Sequence, residues 1–391
     1  MKYFKNNLFF LYWICVIALA ISSYVYFDDS RHVKKLNSYD GVNVYYSGGY
    51  TADIRIPDNA TDDFLDVVIS HLKRMYSVPW IYIKNVDNLT REQISDLCTL
   101  KDVLNLSIEA KSISGKNWND LDKKKHSLLF LTLKGQGLDD NDLTEIAKIT
   151  SLRSIVINNA NVSIKGIEPL LHLQDWNRIC FQETTFHGST ASNVRSNTAV
   201  YVLENCDISS SDLHVLQSLK FNSLQICNTP LSSEHLHQIA SLESIHSIEL
   251  SRNGIASIDL LPFDQWLELV ALVICNNKIS TIPQSLHNCQ MLKSLNLSGN
   301  ELDDDALANF PFLEHLERLN LSNNPIKGTK MEAIKALPNL KFLNLDGTLI
   351  DDETFSIMMN ITMKNRGDPG FNDTIEATDA FDQNNKNLNN Q

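Results

Sequence analysis

Few residues of this 391-residue chain have the type and spacing that chemistry requires. His235 and His237, in the run Glu-His-Leu-His-Gln, come nearest to a metal-ligand pair. Side chains at i and i+2 diverge on a helix, so the pair reads as a solvated face rather than a zinc site. The acidic run Asp303–Asp305 resembles a calcium loop only in composition, and helix capping accounts for it. Six cysteines lie beyond the N-terminal apolar stretch: Cys98, Cys180, Cys206, Cys227, Cys275 and Cys289, none in a CxxC or CxC pattern. Cys227 and Cys275 share a register but fall two strands apart, about 10 Å, too far for a disulfide. Free structural thiols are expected, which is unusual for an exported protein. No phosphate-cradling glycine loop, nucleophile elbow or HExxH helix occurs. No catalytic residue, cofactor or metal is therefore assigned, and the chain is read as a binding protein without chemistry.

The elements that position these residues come from one repeated unit. Leu316–Ile326 reads LxxLxLxxNxI, with Leu316, Leu319, Leu321, Asn324 and Ile326 at the fixed positions. The spacing recurs at Leu292 and at Leu340, 24 residues to either side. A fixed period of this length marks a solenoid. Units start at Val78, Val103, Leu128, Leu152, Trp176, Thr198, Phe221, Ile245, Leu269, Leu292, Leu316 and Leu340, twelve in all, spaced by 22 to 25 residues. The LxL portion alternates every second residue and predicts a short strand. The Asn that follows (Asn253, Asn277, Asn300, Asn324) can donate and accept inside the turn, and stacked copies would satisfy buried backbone groups. Thr184, Thr229, Thr348 and the Cys206 thiol stand in that slot with less hydrogen-bonding capacity. The second half of each unit predicts a short helix, as in Leu143/Ile146/Ile149 and Leu307/Phe310/Leu313, capped by runs such as Asp139–Asp142, Ser209–Asp212, Ser232–Glu234 and Asp303–Asp305.

Either end of the array differs. Residues 36–77 read as an N-terminal cap, with a hairpin turning at Ser47-Gly48-Gly49 and a helix begun by Thr61 or Asp62. Residues 366–391 are rich in Asn and Asp and read as a disordered tail. Residues 7–27 carry no charge and, at 1.5 Å per residue, extend about 30 Å, enough to cross a bilayer. Residues 1–35 are thus expected to be a signal anchor, single-pass, with the repeat domain outside the cytoplasm. Cleavage after Ala18-Leu19-Ala20, giving a secreted protein, is the alternative. The net charge is -13, and beyond residue 35 the chain holds 29 basic against 45 acidic residues. That balance argues against nucleic acid, which needs clustered Lys and Arg.

The array, residues 78–365, resembles the leucine-rich repeat family, and its short units resemble the bacterial type. The resemblance implies an α/β solenoid curved like a horseshoe, with a parallel concave β-sheet and short helices on the convex side, here behind an N-terminal transmembrane helix. It implies binding of a protein partner on the concave sheet and no catalytic residues. Strand positions between the leucines would form that surface, among them Tyr82, Gln182, Gln225, Glu249, Asn296 and Asn320, with Trp80, Phe130, Arg178 and Arg318 one step earlier in their units. Trp80, Tyr82 and Phe130 fall within three adjacent strands, about 10 Å, the kind of aromatic cluster that dominates interfaces. Packing of these rings against the cap is the competing reading. The neutral polar character of the remaining positions leaves a glycan-binding or structural cell-envelope role as the alternative function. Asn105, Asn296 and Asn320 begin NLS triplets that match glycosylation sequons but follow from the strand sequence itself.

Overall fold

The computed structural model describes residues 31–366 other than 41, 48–50, 57–60, 76–77, 79, 99, 101, 114–117, 119–127, 174–175, 188–196, 209–212, 214–219 and 243–244. The expected anchor at 7–27, the glycine turn at 48–49 and the tail from 367 lie outside the described residues. Among the described residues no helix is long and apolar enough to cross a membrane. The chain divides into two compact units, residues 1–173 and 174–391.

In the first unit, β1 (Asn43–Ser47) and β2 (Thr51–Ile56) pair antiparallel, as the hairpin reading expects. β2 also pairs parallel with β3 (Trp80–Asn88), placing Ile54 opposite Ile81 and Ile56 opposite Ile83. The segment read as a cap therefore already contains one strand in register with the array. Ile54-Arg55-Ile56 is its LxL, and both isoleucines are buried. β4 (Asn105–Ser112), β5 (Phe130–Gln136) and β6 (Ser154–Asn158) continue in parallel register, and β7 (Asn161–Ser163) follows. Leu106, Leu131 and Ile155 extend the buried row begun by Ile54 and Ile81. Helices span Asp62–Leu72, Arg91–Cys98, Asp140–Ile146 and Ile164–Leu171.

The second unit stacks β8 (Trp176–Gln182), β10 (Asn197–Glu204), β11 (Lys220–Cys227), β12 (Ser247–Glu249), β13 (Ala271–Val273), β14 (Ser294–Asn296), β15 (Arg318–Asn320) and β16 (Phe342–Asn344) in parallel, with β9 (Thr185–His187) beside β8 in sequence. Helices span Ser233–Ala240, Asp304–Ala308, Glu332–Lys335 and Asp352–Arg366, so the last runs one residue into the segment read as tail. The expectation of a helix in every unit needs correction. Residues 257–268 form only turns, and the next connection is the 3-10 helix Gln284–Asn288. Pro262 and Pro283 each lack the amide that an α-helical interior uses. Bulk replaces the helix at the first site: Trp266 is fully buried against Phe263 at 5.8 Å and donates its indole N–H to the Leu242 carbonyl at 2.9 Å.

The Asn ladder forms as the spacing predicts. Asn277 donates to the carbonyls of Leu250 at 2.8 Å and Cys275 at 3.1 Å, while its Oδ1 accepts from the amides of Asn253 and Ile255. Asn300 and Asn324 likewise reach back to Ile274 and Leu297. Each side chain thus ties its own turn to the preceding strand. Cys206 Sγ fills the slot weakly, at 3.4 Å from the Phe181 carbonyl. Strand length varies along the array. Where the slot holds Asn, from β12 to β15, strands are three residues long; where it holds Thr or Cys, β8, β10 and β11 run for seven or eight, whereas β16, with Thr348 in the slot, has three. In β3 and β4 the slot residues Val86 and Lys111 offer no short polar group, and strands of nine and eight residues continue past them.

Immediately before the slot the chain turns left-handed in unit after unit: Glu183, Asn205, Asn228, Arg252, Asn276, Gly299, Asn323 and Gly347 all have positive φ. Asn and Gly tolerate this region; Glu183 and Arg252 carry the strain of a Cβ there. Acidic pairs work between units as well as within them. Asp139 and Asp303 cap their helices, and the next residue reaches across: Asp140 accepts from Ser163 N at 2.7 Å, Asp304 from Gly328 N at 2.9 Å.

Two tests follow from this packing. Asn277→Ala strands several buried backbone groups and should cost on the order of 3 kcal/mol in urea unfolding, whereas Thr348→Ala, losing one bond to Leu345, should cost about 1 kcal/mol or less. Equal costs would refute the ladder. The second concerns Asp142, which accepts from the fully buried Trp118 indole at 3.1 Å. Burial pushes its carboxyl up to about 6 from 3.8, against hydrogen bonds from Asp139 and Trp118 that favour the charged form. The folded chain therefore holds this proton more tightly than the unfolded one. Its contribution to stability is complete below about pH 4 and is lost as pH rises through about 6. Asp142→Asn should flatten the denaturant midpoint across that window, and an unchanged slope would refute the assignment.

Candidate functional site

Along each strand one side chain enters the core and the next points away from it, so the residues between the buried aliphatics form an open face. In the first unit, Trp80, Asn105, Phe130 and Ser154 stand opposite one another in one row. Arg55, Tyr82, Ser107, Thr132 and Val156 form the next. Trp80 is 42% exposed, so it does not pack away against the preceding strand, and Phe130 is half-buried two strands over. Tyr82 does meet that strand: the Arg55 guanidinium sits 5.9 Å from its ring centroid. Past this row, Lys84 is exposed and Lys134 pairs with Glu109 at 3.5 Å.

The second unit's open face starts with Arg178, whose row runs through Val200, Ser223 and Ser247 to Arg318 and Phe342. Arg318 is exposed and lies 5.1 Å from the Phe342 ring centroid. Arg178 bonds Cys180, yet its Nε is buried without a hydrogen-bond partner. Gln182 donates to Glu204 at 2.7 Å. Glu249 is half-buried between the Cys227 thiol and Ser251 Oγ, which lies 3.3 Å away; burial raises its pKa most, and those hydrogen bonds oppose the rise. Ser251 in turn meets Cys275 Sγ at 3.1 Å. Asn320 uses its Oδ1 on Ser322 N at 3.0 Å, and Asn296 uses its Oδ1 on both N and Oγ of Ser298.

The sequence-derived site residues all lie between core positions, but they are not equally reachable. Gln225 and Asn296 are only 7% and 8% exposed, so they offer a partner little surface, and Asn296 makes a poor glycan acceptor. The reading of His235 as part of a solvated face is corrected: it is buried, and its Nδ1 accepts from Ser232 N at 2.9 Å as the helix-entry residue of a capping box. The Ser-x-x-His spacing was the available signal, with His in the place of the usual Glu. Arg55 and the chain Cys227–Glu249–Ser251–Cys275 were not legible, because both depend on which strands lie side by side. Among the described residues, Cys180, Cys206, Cys227, Cys275 and Cys289 are free, and no group of three His, Cys, Asp or Glu is arranged to hold a metal. Burial pushes Cys180 and Cys206 up to about 11 and Cys289 to about 12.

Comparison with known proteins agrees with this geometry. The family described as Leucine rich repeat matches residues 243–302 and 304–350. The chain carries leucine-rich repeats. Human leucine-rich repeat-containing protein 66 is 28% identical over 198 residues, 45% of this chain and 22% of that protein. Chicken Tsukushi is 33% identical over 103 residues, 26% of this chain and 28% of that protein. The chain thus spans about a quarter of the length of the curated relatives it matches. A crystal structure of an internalin from Listeria monocytogenes superposes with a TM-score of 0.50 at 20% identity, covering 80% of this chain and 85% of that one. At that identity the likeness concerns the leucine-rich repeat fold alone. Leucine-rich repeat domains commonly bind proteins and generally lack catalysis.

With thiolates disfavoured, Cys180, Cys206 and Cys289 should resist alkylation in the native leucine-rich repeat array and react only as it unfolds. Mass spectrometry after brief maleimide treatment checks this, and labelling at the rate of free cysteine would overturn it.

Proposed function

We propose that this protein is a non-catalytic binding scaffold, tethered to a membrane through residues 7–27, that holds a protein partner on the open face of its repeats. The observation that carries the reading is Trp80: a large ring, 42% exposed, in register with Phe130 on a surface that the repeat pattern does not need for folding. Exposed aromatic side chains beside polar groups are what protein interfaces use as anchors. Arg318 over Phe342 supplies a comparable element in the second unit. In this reading residues 36–77 cap the array, residues 78–365 form it, and the body lies outside the cytoplasm; a secreted form after cleavage near Ala20 would bind by the same face. An exported glycan-binding or envelope role is the second reading, favoured by the half-buried amides of Asn320 and Asn344 in one row.

Two measurements separate these. Membrane fractionation with protease access to the body tests the tether, and recovery of the intact protein in the soluble fraction would overturn it. Trp80→Ala should weaken a captured protein partner about fivefold or more while leaving the melting temperature unchanged. Unaltered affinity, or specific glycan-array binding without any protein partner, would reject protein binding at this face.

A further inference from the structure

Two histidines meet where the chain enters the first unit. Residues 31–36 are helical, and Val33 and Leu36, three apart on one face, are buried. His32 Nδ1 lies 3.0 Å from His71 Nδ1, near the end of the helix Asp62–Leu72, with ring centroids 5.3 Å apart. Tyr39 joins the same contact, edge-on to Phe64 at 5.5 Å and 6.4 Å from His71. The charged groups that act on His71 are all of one sign: His32 and Lys35 on the first helix, and Arg74 after the second. Lys35 also stands 5.3 Å from the Tyr39 ring centroid. Asp66 accepts from Gln93 at 2.9 Å and Lys73 pairs with Asp96, both toward the helix Arg91–Cys98. Asp40 and Asp63 are exposed, and neither acts on His71. Burial first, and then His32, Arg74 and Lys35, hold the His71 pKa below its ordinary 6.5.

We propose that the His32–His71 contact is a pH-sensitive latch, which holds residues 31–40 against the helix Asp62–Leu72 and loosens them once both rings are protonated. A hydrogen bond between two Nδ1 atoms needs one N–H and one lone pair. The pair supplies both with no added proton, or with one. A second proton removes the acceptor and sets like charges face to face, beside Lys35 and Arg74. His71, held below 6.5 when docked, binds its proton less readily there than in the released segment. The latch's contribution is therefore complete above about 6.5 and is lost as pH falls from there through the docked-state value. Val33 and Leu36 oppose release, so acid raises the open population of this segment and leaves the array folded. Once free, residues 31–40 can extend to about 33 Å, which lengthens the reach between the chain before residue 31 and β1. The latch depends on neither the membrane nor the protein-binding reading.

Hydrogen–deuterium exchange of the full chain, corrected for the intrinsic pH dependence of amide exchange, tests this. The reporters are the amides of Asn37, Ser38 and Tyr39, which donate to the carbonyls of Val33, Lys35 and Leu36. Their opening should rise about threefold or more between about pH 7.5 and about pH 5, while the amides of β14 and β15 change less than about twofold. Asp142 titrates in the opposite sense, so a loss of protection confined to residues 31–40 does not come from it. His71→Gln, which keeps a hydrogen-bonding group that does not titrate, should abolish the step, and His32→Gln should shrink it by about half or more. His71→Lys, charged at both pH values, should open the segment already at neutral pH. An unchanged protection, an equal response throughout the array, or a full step persisting in either glutamine variant would overturn the latch. A step that disappears on adding EDTA would assign the pair to a bound metal and overturn it as well.

Discussion

Every unit of this array must bury the turn that follows its strand, and buried backbone amides and carbonyls need partners. Two solutions appear within one chain. From β12 to β15 a single Asn side chain bonds its own turn and the strand before it, and three paired residues suffice. Where Thr229 takes the slot, its hydroxyl accepts from Cys206 N and donates to the Cys227 carbonyl, so one side chain again ties two levels with fewer bonds. The left-handed residue just ahead of the slot turns the backbone so that the side chain can reach both levels.

The back of the array tolerates more variety because its task is only to cover apolar surface. A capped helix does so at Asp140–Ile146 and Ser233–Ala240, and turns filled by Trp266 and Phe263 do so between β12 and β13. What the back needs in addition is alignment from unit to unit. Asp140 and Asp304 supply it by accepting amides of the following unit, a role distinct from the caps made by their neighbours Asp139 and Asp303. The open face carries neither duty. Its residues are free to differ, which is why aromatic, thiol, carboxylate and amide groups succeed one another along it.

The fold was highly legible because core spacing and strand register are one pattern: Leu316, Leu319, Leu321 and Asn324 announce both. Ile54-Arg55-Ile56 is not legible as a repeat strand, because a single LxL inside a hairpin gives no period to measure against. Between β12 and β14 the sequence suggests helices that do not form, since apolar spacing persists through Pro262 and Pro283 while α-helical backbone hydrogen bonding does not. The candidate site was half legible. Alternation along a strand tells which residues leave the core, and so Trp80, Tyr82 and Phe130 could be placed. It does not tell how far each stands clear of its neighbours, and Gln225 and Asn296 turned out nearly covered. Contacts such as Arg55 on Tyr82 or Cys227 on Glu249 join residues more than twenty positions apart and follow only from the stacking.

The graded slot has a mechanical consequence. In the second unit the ladder begins with Thr184, Cys206 and Thr229 and strengthens to Asn253, Asn277, Asn300 and Asn324. Neighbour-only contacts make such an array yield at its weakest junction first. A load carried along the chain would therefore open the levels near Cys206 while the Asn-bearing block stayed closed. That block would behave as a stiff handle joined to a compliant spring, with the point of give written in a single residue per turn.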